Sequence, residues 1–84
     1  MSGWRPVDTR DAHRLERELA RELPAGHILK GRTVRAHACR DDRDDVVFAV
    51  EGAGLCLVHL TWRVERTPEW PYSIFIDALP DDDE

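Results

Sequence analysis

The stretch TVRAHACRDDRDDVVFAVEGAGLCLVHLTWR, Thr33 to Arg63, decides the fold: it reads as three strands joined by two tight turns. Residues 33–40 alternate, with Val34, Ala36 and Ala38 on one side and Arg35, His37 and Cys39 on the other, the period of a half-buried strand. Asp41-Asp42-Arg43-Asp44 reads as a turn, because Asp side chains accept from nearby backbone N–H groups. Residues 45–50 are continuously apolar after Asp45, and Glu51-Gly52-Ala53-Gly54 supplies glycines free to take positive φ in a second turn. Leu55 to Arg63 is the third strand, its run up to Trp62 nearly all apolar, as a central strand requires. Further out, Ser73–Ala78 reads as a fourth strand, separated from the third by Thr67–Tyr72, whose two prolines exclude regular structure.

Upstream, Asp8 to Leu23 is predicted to be a helix. Ala12, Leu15, Leu19 and Leu23 recur at helical spacing, Asp8 is placed to cap the N-terminus, and Val7 and Ala12 occupy the positions of a hydrophobic staple. Pro24 stops the pattern and Gly26 follows it. The opposite side carries Arg10, Arg14, Arg17, Arg21, Glu16, Glu18 and Glu22, and reads as a solvated face. In the connecting loop, His27-Ile28-Leu29 is placed to tuck under the edge of the sheet. The predicted fold is therefore α+β: one N-terminal helix packed on a three- to four-stranded antiparallel meander, forming a single domain over residues 1–80 with an acidic tail at 81–84.

A sheet has two faces, and one helix covers about one of them. Pairing Glu51 with Gly54 and Arg40 with Asp45 sorts the strands into two sets. Val34, Ala36, Ala38, Val47, Ala49, Cys56, Val58, Leu60 and Trp62 contain no charge and three alanines, which leave room for a helix to lie close. Val46, Phe48, Val50, Leu55 and Leu57, with His37 and His59 toward the edges, fall on the other face. An apolar centre with a polar rim is the anatomy of an interface. A chain of 84 residues buries only about 60–65% of its unfolded surface, so pairing with another chain would add to a marginal core.

Composition narrows the possible partners. The formal charge is −5, but Asp81, Asp82, Asp83 and Glu84 account for four of the negative charges, leaving 12 basic against 13 acidic residues in the body. A near-neutral body disfavours general binding to nucleic acid. No apolar run approaches the roughly 18 residues of a membrane span, and the start of the chain has no signal-peptide core, so the expected compartment is the cytoplasm. Arginine outnumbers lysine 11 to 1 and there is no Asn or Gln, a composition that reads as a genome rich in G and C.

The residues that carry chemistry are few. His37, Cys39 and His59 fall on one predicted face but on strands one and three, roughly 9–10 Å apart, too far to converge on a metal ion. Cys39 and Cys56 are predicted on opposite faces and therefore as free thiols. The Asp-rich turn lacks the interleaved ligands of a calcium loop. Trp70-Pro71-Tyr72 reads equally as a recognition element or as a lid over the small core.

The segment Leu57-Val58-His59-Leu60-Thr61-Trp62, preceded by Asp44-Asp45-Val46-Val47-Phe48 and followed by a Pro-containing loop, resembles a family of short bacterial proteins with no assigned function. The likeness spans roughly Trp4 to Leu79 and implies a compact α+β fold with no catalytic residues to carry over. The sequence thus points to a non-catalytic interaction module that homodimerises through one sheet face, with no cofactor and no metal. One alternative is an inhibitor- or immunity-like binder that uses the acidic turn and tail, and would be salt-sensitive. Another is a small enzyme or ligand-binding domain built on His37, Cys39 and His59.

Overall fold

The computed structural model describes residues 4–40 and 44–78, which form one helix and a five-stranded antiparallel sheet. The strands are β1 (Trp4–Pro6), β2 (Val34–Arg40), β3 (Asp45–Val50), β4 (Gly54–His59) and β5 (Tyr72–Ile76), in the spatial order β1-β2-β3-β4-β5. The helix α1 (Thr9–Glu22) lies between β1 and β2 in the chain. The α+β class and the meander order are as expected, with one strand more than the sequence suggested. That strand is β1, three residues long and ending in proline, too short to show a period. It pairs with β2 as Trp4↔Arg40, Arg5↔Cys39 and Pro6↔Ala38, and the Arg40 guanidinium lies 5.5 Å from the centre of the Trp4 ring. Of the predicted turn at 41–44 only Asp44 is among the described residues, and the tail at 81–84 lies outside them.

The helix begins as its sequence dictates. Asp8, in extended conformation, accepts the Asp11 N–H on Oδ1 at 2.8 Å, satisfying one of the donors left over at a helix N-terminus. Leu23 ends the helix before Pro24, and its N–H still reaches the Leu19 carbonyl at 3.1 Å. Leu15 and Leu19 point into the core. α1 lies against β2, while the loop after it carries Leu29 into the same core, with His27 buried next to it.

Two local features set which residues face that layer. The β3–β4 hairpin closes at Val50↔Gly54, one residue earlier than a Glu51–Gly54 pairing, with Gly52 and Gly54 both at positive φ. On β2 the register shifts between Ala36 and Ala38, so that His37 is an extra residue in a β-bulge. Each one-residue change exchanges faces for the residues beyond it. The helix-covered layer is Val34, Ala36, Cys39, Val46, Phe48, Val50, Cys56, Val58 and Leu60. Val46, Phe48 and Val50 are therefore core residues, and Ala38, Val47 and Ala49 lie on the other face, the reverse of the sequence expectation for β3. Phe48, fully buried, fills the space that small residues were expected to leave open. Contrary to the expectation of opposite faces, Cys39 and Cys56 share this layer, on strands separated by β3, and both are buried thiols outside any disulfide.

Two helix carboxylates expected on the solvated side complete the fit instead. The Ala36 N–H beside the bulge donates to Glu16 Oε2 at 2.8 Å. Glu22, with no solvent exposure, accepts three donors from the chain after β4: Thr61 N at 2.9 Å and Thr61 Oγ1 at 3.2 Å on Oε1, and Trp62 N at 2.7 Å on Oε2. The predicted third strand thus ends at His59, and Trp62 turns into the left-handed region at φ 60°.

Candidate functional site

The face of the sheet away from the helix is built in three rows of cross-strand neighbours. Arg35, Ala49, Leu55 and Ile76 form one end; Ala38, Val47, Leu57 and Ile74 form the middle; Asp45, His59 and Tyr72 form the other end. Of the residues expected at an interface, Leu55 and Leu57 are on this face and half-buried, and His59 is on it and exposed. His37 is exposed at the bulge, whereas Val46, Phe48 and Val50 lie beneath the helix and are unavailable to a partner. Ala38 and Val47 on this face are buried, so its exposed apolar surface comes instead from β4 and β5.

β5 is the outer strand of the described sheet, and it lacks cover on both sides. Tyr72 (53% exposed) and Ile74 (45%) stand on the open face, and Phe75 (40%) on the helix side, beyond the reach of α1. The opposite edge differs. β1 is short and carries Arg5 and Pro6, which are features that discourage pairing with another strand. β5 has five residues, YSIFI, with neither a charge nor a proline.

At its polar end the open face runs into a cleft of about 310 Å³ lined by Asp44, His59, Leu60, Thr61, Arg63, Glu65 and Trp70. His59 Nδ1 is 2.7 Å from Asp45 Oδ1, its partner in the ladder. The Trp62 indole N–H donates to Asp44 Oδ1 at 3.0 Å, and the Leu60 N–H donates to the Asp44 carbonyl at 3.0 Å. The second wall, residues 67–71, is held by His27. Its Nδ1 accepts the Leu29 N–H at 3.0 Å, so its Nε2 carries the proton donated to the Pro71 carbonyl at 2.8 Å. His27 and Pro71 are both buried, and Trp70 is left facing outward.

His37, Cys39 and His59 are not brought together: Cys39 is in the core and the two histidines are on β2 and β4. Among the described residues no group of three or more His, Cys, Asp or Glu side chains is placed to hold a metal ion. Burial pushes the Cys56 thiol up to about 11, partly offset by a backbone hydrogen bond from Ile74, which leaves it a poor nucleophile. Burial, reinforced by a hydrogen bond with Glu18, pushes the Glu22 carboxyl up to about 7 against the pull of the Thr61 and Trp62 N–H groups. Burial also acts on Glu18, but hydrogen bonds with Arg21 and Glu22 and the Arg21 charge bring its carboxyl below the ordinary value.

The two groups that shape the cleft were expected elsewhere or without a role: Glu22 on the solvated face of the helix, where it is instead fully buried, and His27 under the edge of the sheet, where it is buried, but with no partner assigned. The signal for Glu22 was present: it lies three residues after Leu19 and seven after Leu15, on the apolar stripe. The burial of His27 was expected, but its partner, 44 residues away, carried no local signal. No helix among the described residues is long and apolar enough to cross a membrane. Comparison with known proteins finds no family model, no curated protein and no solved structure that matches this chain.

Proposed function

We propose that this protein is a non-catalytic interaction module that associates with a second copy of itself through β5 and the adjoining open face. The observation that carries this reading is the state of β5, an outer strand with exposed apolar side chains on both faces and none of the guarding residues found on β1. A partner that only stacked on the open face would leave Phe75 in water. A partner strand that extends the sheet lies beside Tyr72, Ile74 and Phe75 together. Two β5 strands meeting antiparallel about a two-fold axis give a self-complementary interface with Ile74, the middle residue of the strand, opposite its own copy. The test is solution molar mass by light scattering over a range of concentrations. The wild type is expected to be a dimer. Ile74→Asp sets two carboxylates against each other on the axis and is expected to give a monomer with the helical circular-dichroism signal intact. A wild-type monomer, or an Ile74→Asp dimer, removes the reading.

A second reading, a binder of another protein through acidic groups, is favoured by one observation: Asp44 and Asp45, from the end of the Asp-rich turn, enter or border the cleft beside an exposed tryptophan. It predicts partner capture that weakens steeply with salt.

A further inference from the structure

The cleft beyond β4 has two walls, and each is fixed from behind by a buried polar group. Glu22 holds residues 61 and 62 by their backbone N–H groups. His27 holds the carbonyl of Pro71 and so sets the direction in which Trp70 projects. Burying polar side chains costs stability unless they are hydrogen-bonded, and these two come from different segments yet brace the same concavity. The result is a recess braced from two sides in which Trp70, 46% exposed, stands as one side.

The groups in the recess set the sign of what it takes. Asp44 and Glu65 line it, and Asp45 stands behind His59. The Trp62 indole orients Asp44 through Oδ1. Arg63 opposes them, but it is 80% exposed and its Nε lies 4.0 Å from Glu65 Oε2, at the outer limit of an ion pair. A flat cation can lie on an indole face while its N–H edge donates to carboxylates, and guanidinium does both. An ammonium group is more strongly hydrated and lacks the planar fork. An anion would meet Asp44 and Glu65. At about 310 Å³ the space suits one side chain.

We propose that this cleft binds a guanidinium group, the arginine side chain of a basic segment of a partner protein, between Trp70 and the carboxylates of Asp44 and Glu65. The proposal rests on the cleft alone and is independent of pairing through β5.

The test is an NMR titration of the full-length protein, following the indole N–H signals of Trp62 and Trp70, assigned with single Trp→Phe variants. The probes are N-acetyl-arginine methylamide and N-acetyl-lysine methylamide, each carrying a single charge. The arginine derivative is expected to give a saturable shift of the Trp70 signal, with an affinity roughly three-fold or more above that for the lysine derivative. Arg63→Ala removes a competing cation and is expected to tighten binding, while Trp70→Ala abolishes the saturable response at Trp62. Both side chains are exposed, so neither variant disturbs the core. The absence of saturation, equal affinity for the two probes, or weaker binding in Arg63→Ala overturns the proposal, the last by showing that Arg63 is part of the binding surface and not a competing cation.

Discussion

Glu22 offers the sharpest test of how this fold is held. Its carboxyl is fully buried at the last turn of α1 and joins the helix to the chain 39 and 40 residues later through three accepted hydrogen bonds. Glu22→Ala leaves the Thr61 and Trp62 N–H groups without that acceptor. Each unsatisfied donor costs about 1–3 kcal/mol when fully buried. Both residues are partly reached by water, so the sum falls at about 2–4 kcal/mol. That is a large share of the roughly 4–12 kcal/mol expected for a chain this long. The matching fall in Tm is roughly 10–20 °C. The pH dependence gives a second, independent reading. Burial and the Glu18 hydrogen bond raise the Glu22 carboxyl from 4.5 to about 7. Between those values the folded protein holds a proton that the unfolded chain has released. Stability is therefore fully present below 4.5 and falls as pH rises through about 7, by up to about 3 kcal/mol. Glu18 works the other way, since its lowered carboxyl adds stability that is lost only as pH falls below its ordinary value of 4.5, outside this window. Urea unfolding at pH 5 and pH 8 measures the effect. Glu22→Gln cannot ionise and keeps one carbonyl oxygen, so its stability changes less between the two pH values, and the difference from wild type isolates Glu22 from the histidines. A wild-type stability that rises from pH 5 to pH 8 by as much as that of Glu22→Gln, or an Ala variant within about 3 °C of wild type, refutes the reasoning.

Other consequences are as direct. Phe48→Asp, at a fully buried core position, is expected to unfold the domain and abolish the helical signal, and Phe48→Ala to cost about 3–5 kcal/mol by chemical denaturation. His27→Ala removes the acceptor for Leu29 N–H and the donor to the Pro71 carbonyl; a loss of about 2–3 kcal/mol is expected, with faster amide exchange at Leu29 than in wild type. Cys56 is buried and its thiol is raised to about 11, so in the native protein at pH 8 it is expected to react with a disulfide reagent far more slowly than after unfolding in urea.

The features legible in the sequence are those governed by local pattern. The stripe of Leu15 and Leu19, the Asp8 cap and the stop at Pro24 need only near neighbours to be read. The faces of β4 were also legible, because Cys56, Val58 and Leu60 alternate strictly with Leu55, Leu57 and His59. The faces of β3 were not. Residues 46–50 are apolar on both sides, so their orientation depends on the hairpin, and Glu51-Gly52-Ala53-Gly54 accepts closure at either Glu51 or Val50. The bulge at His37 was equally silent, since Ala-His-Ala-Cys alternates well enough without it. Each of these two steps is one residue: the hairpin moved Val46, Phe48 and Val50 from the expected interface into the core, and the bulge kept Val34 and Ala36 beneath the helix while Ala38 and Cys39 exchanged faces. The apolar surface left exposed lies on different residues, with Tyr72 and Ile74 beside Leu55 and Leu57 in place of the β3 cluster.

The charged side of α1 shows why the rest of the site escaped a reading by pattern. Taken as a row of Arg and Glu it is a solvated face, and for Arg14 and Arg21, paired with Asp11 and Glu18, that description holds, although Glu18 itself is largely covered. Glu16 and Glu22, expected in the same row, do something else: one takes the N–H beside a β-bulge and the other, on the buried stripe, takes two N–H groups of a turn. Both acceptors meet backbone that irregular structure has removed from a ladder. A donor left behind by a bulge or a turn has to find a partner when it is withdrawn from water, and here the helix supplies it. The irregularities that defeat strand-pattern reading are therefore the same ones that recruit the helix carboxylates. The cleft arises where one of these carboxylates, at the end of the helix, meets the end of β4.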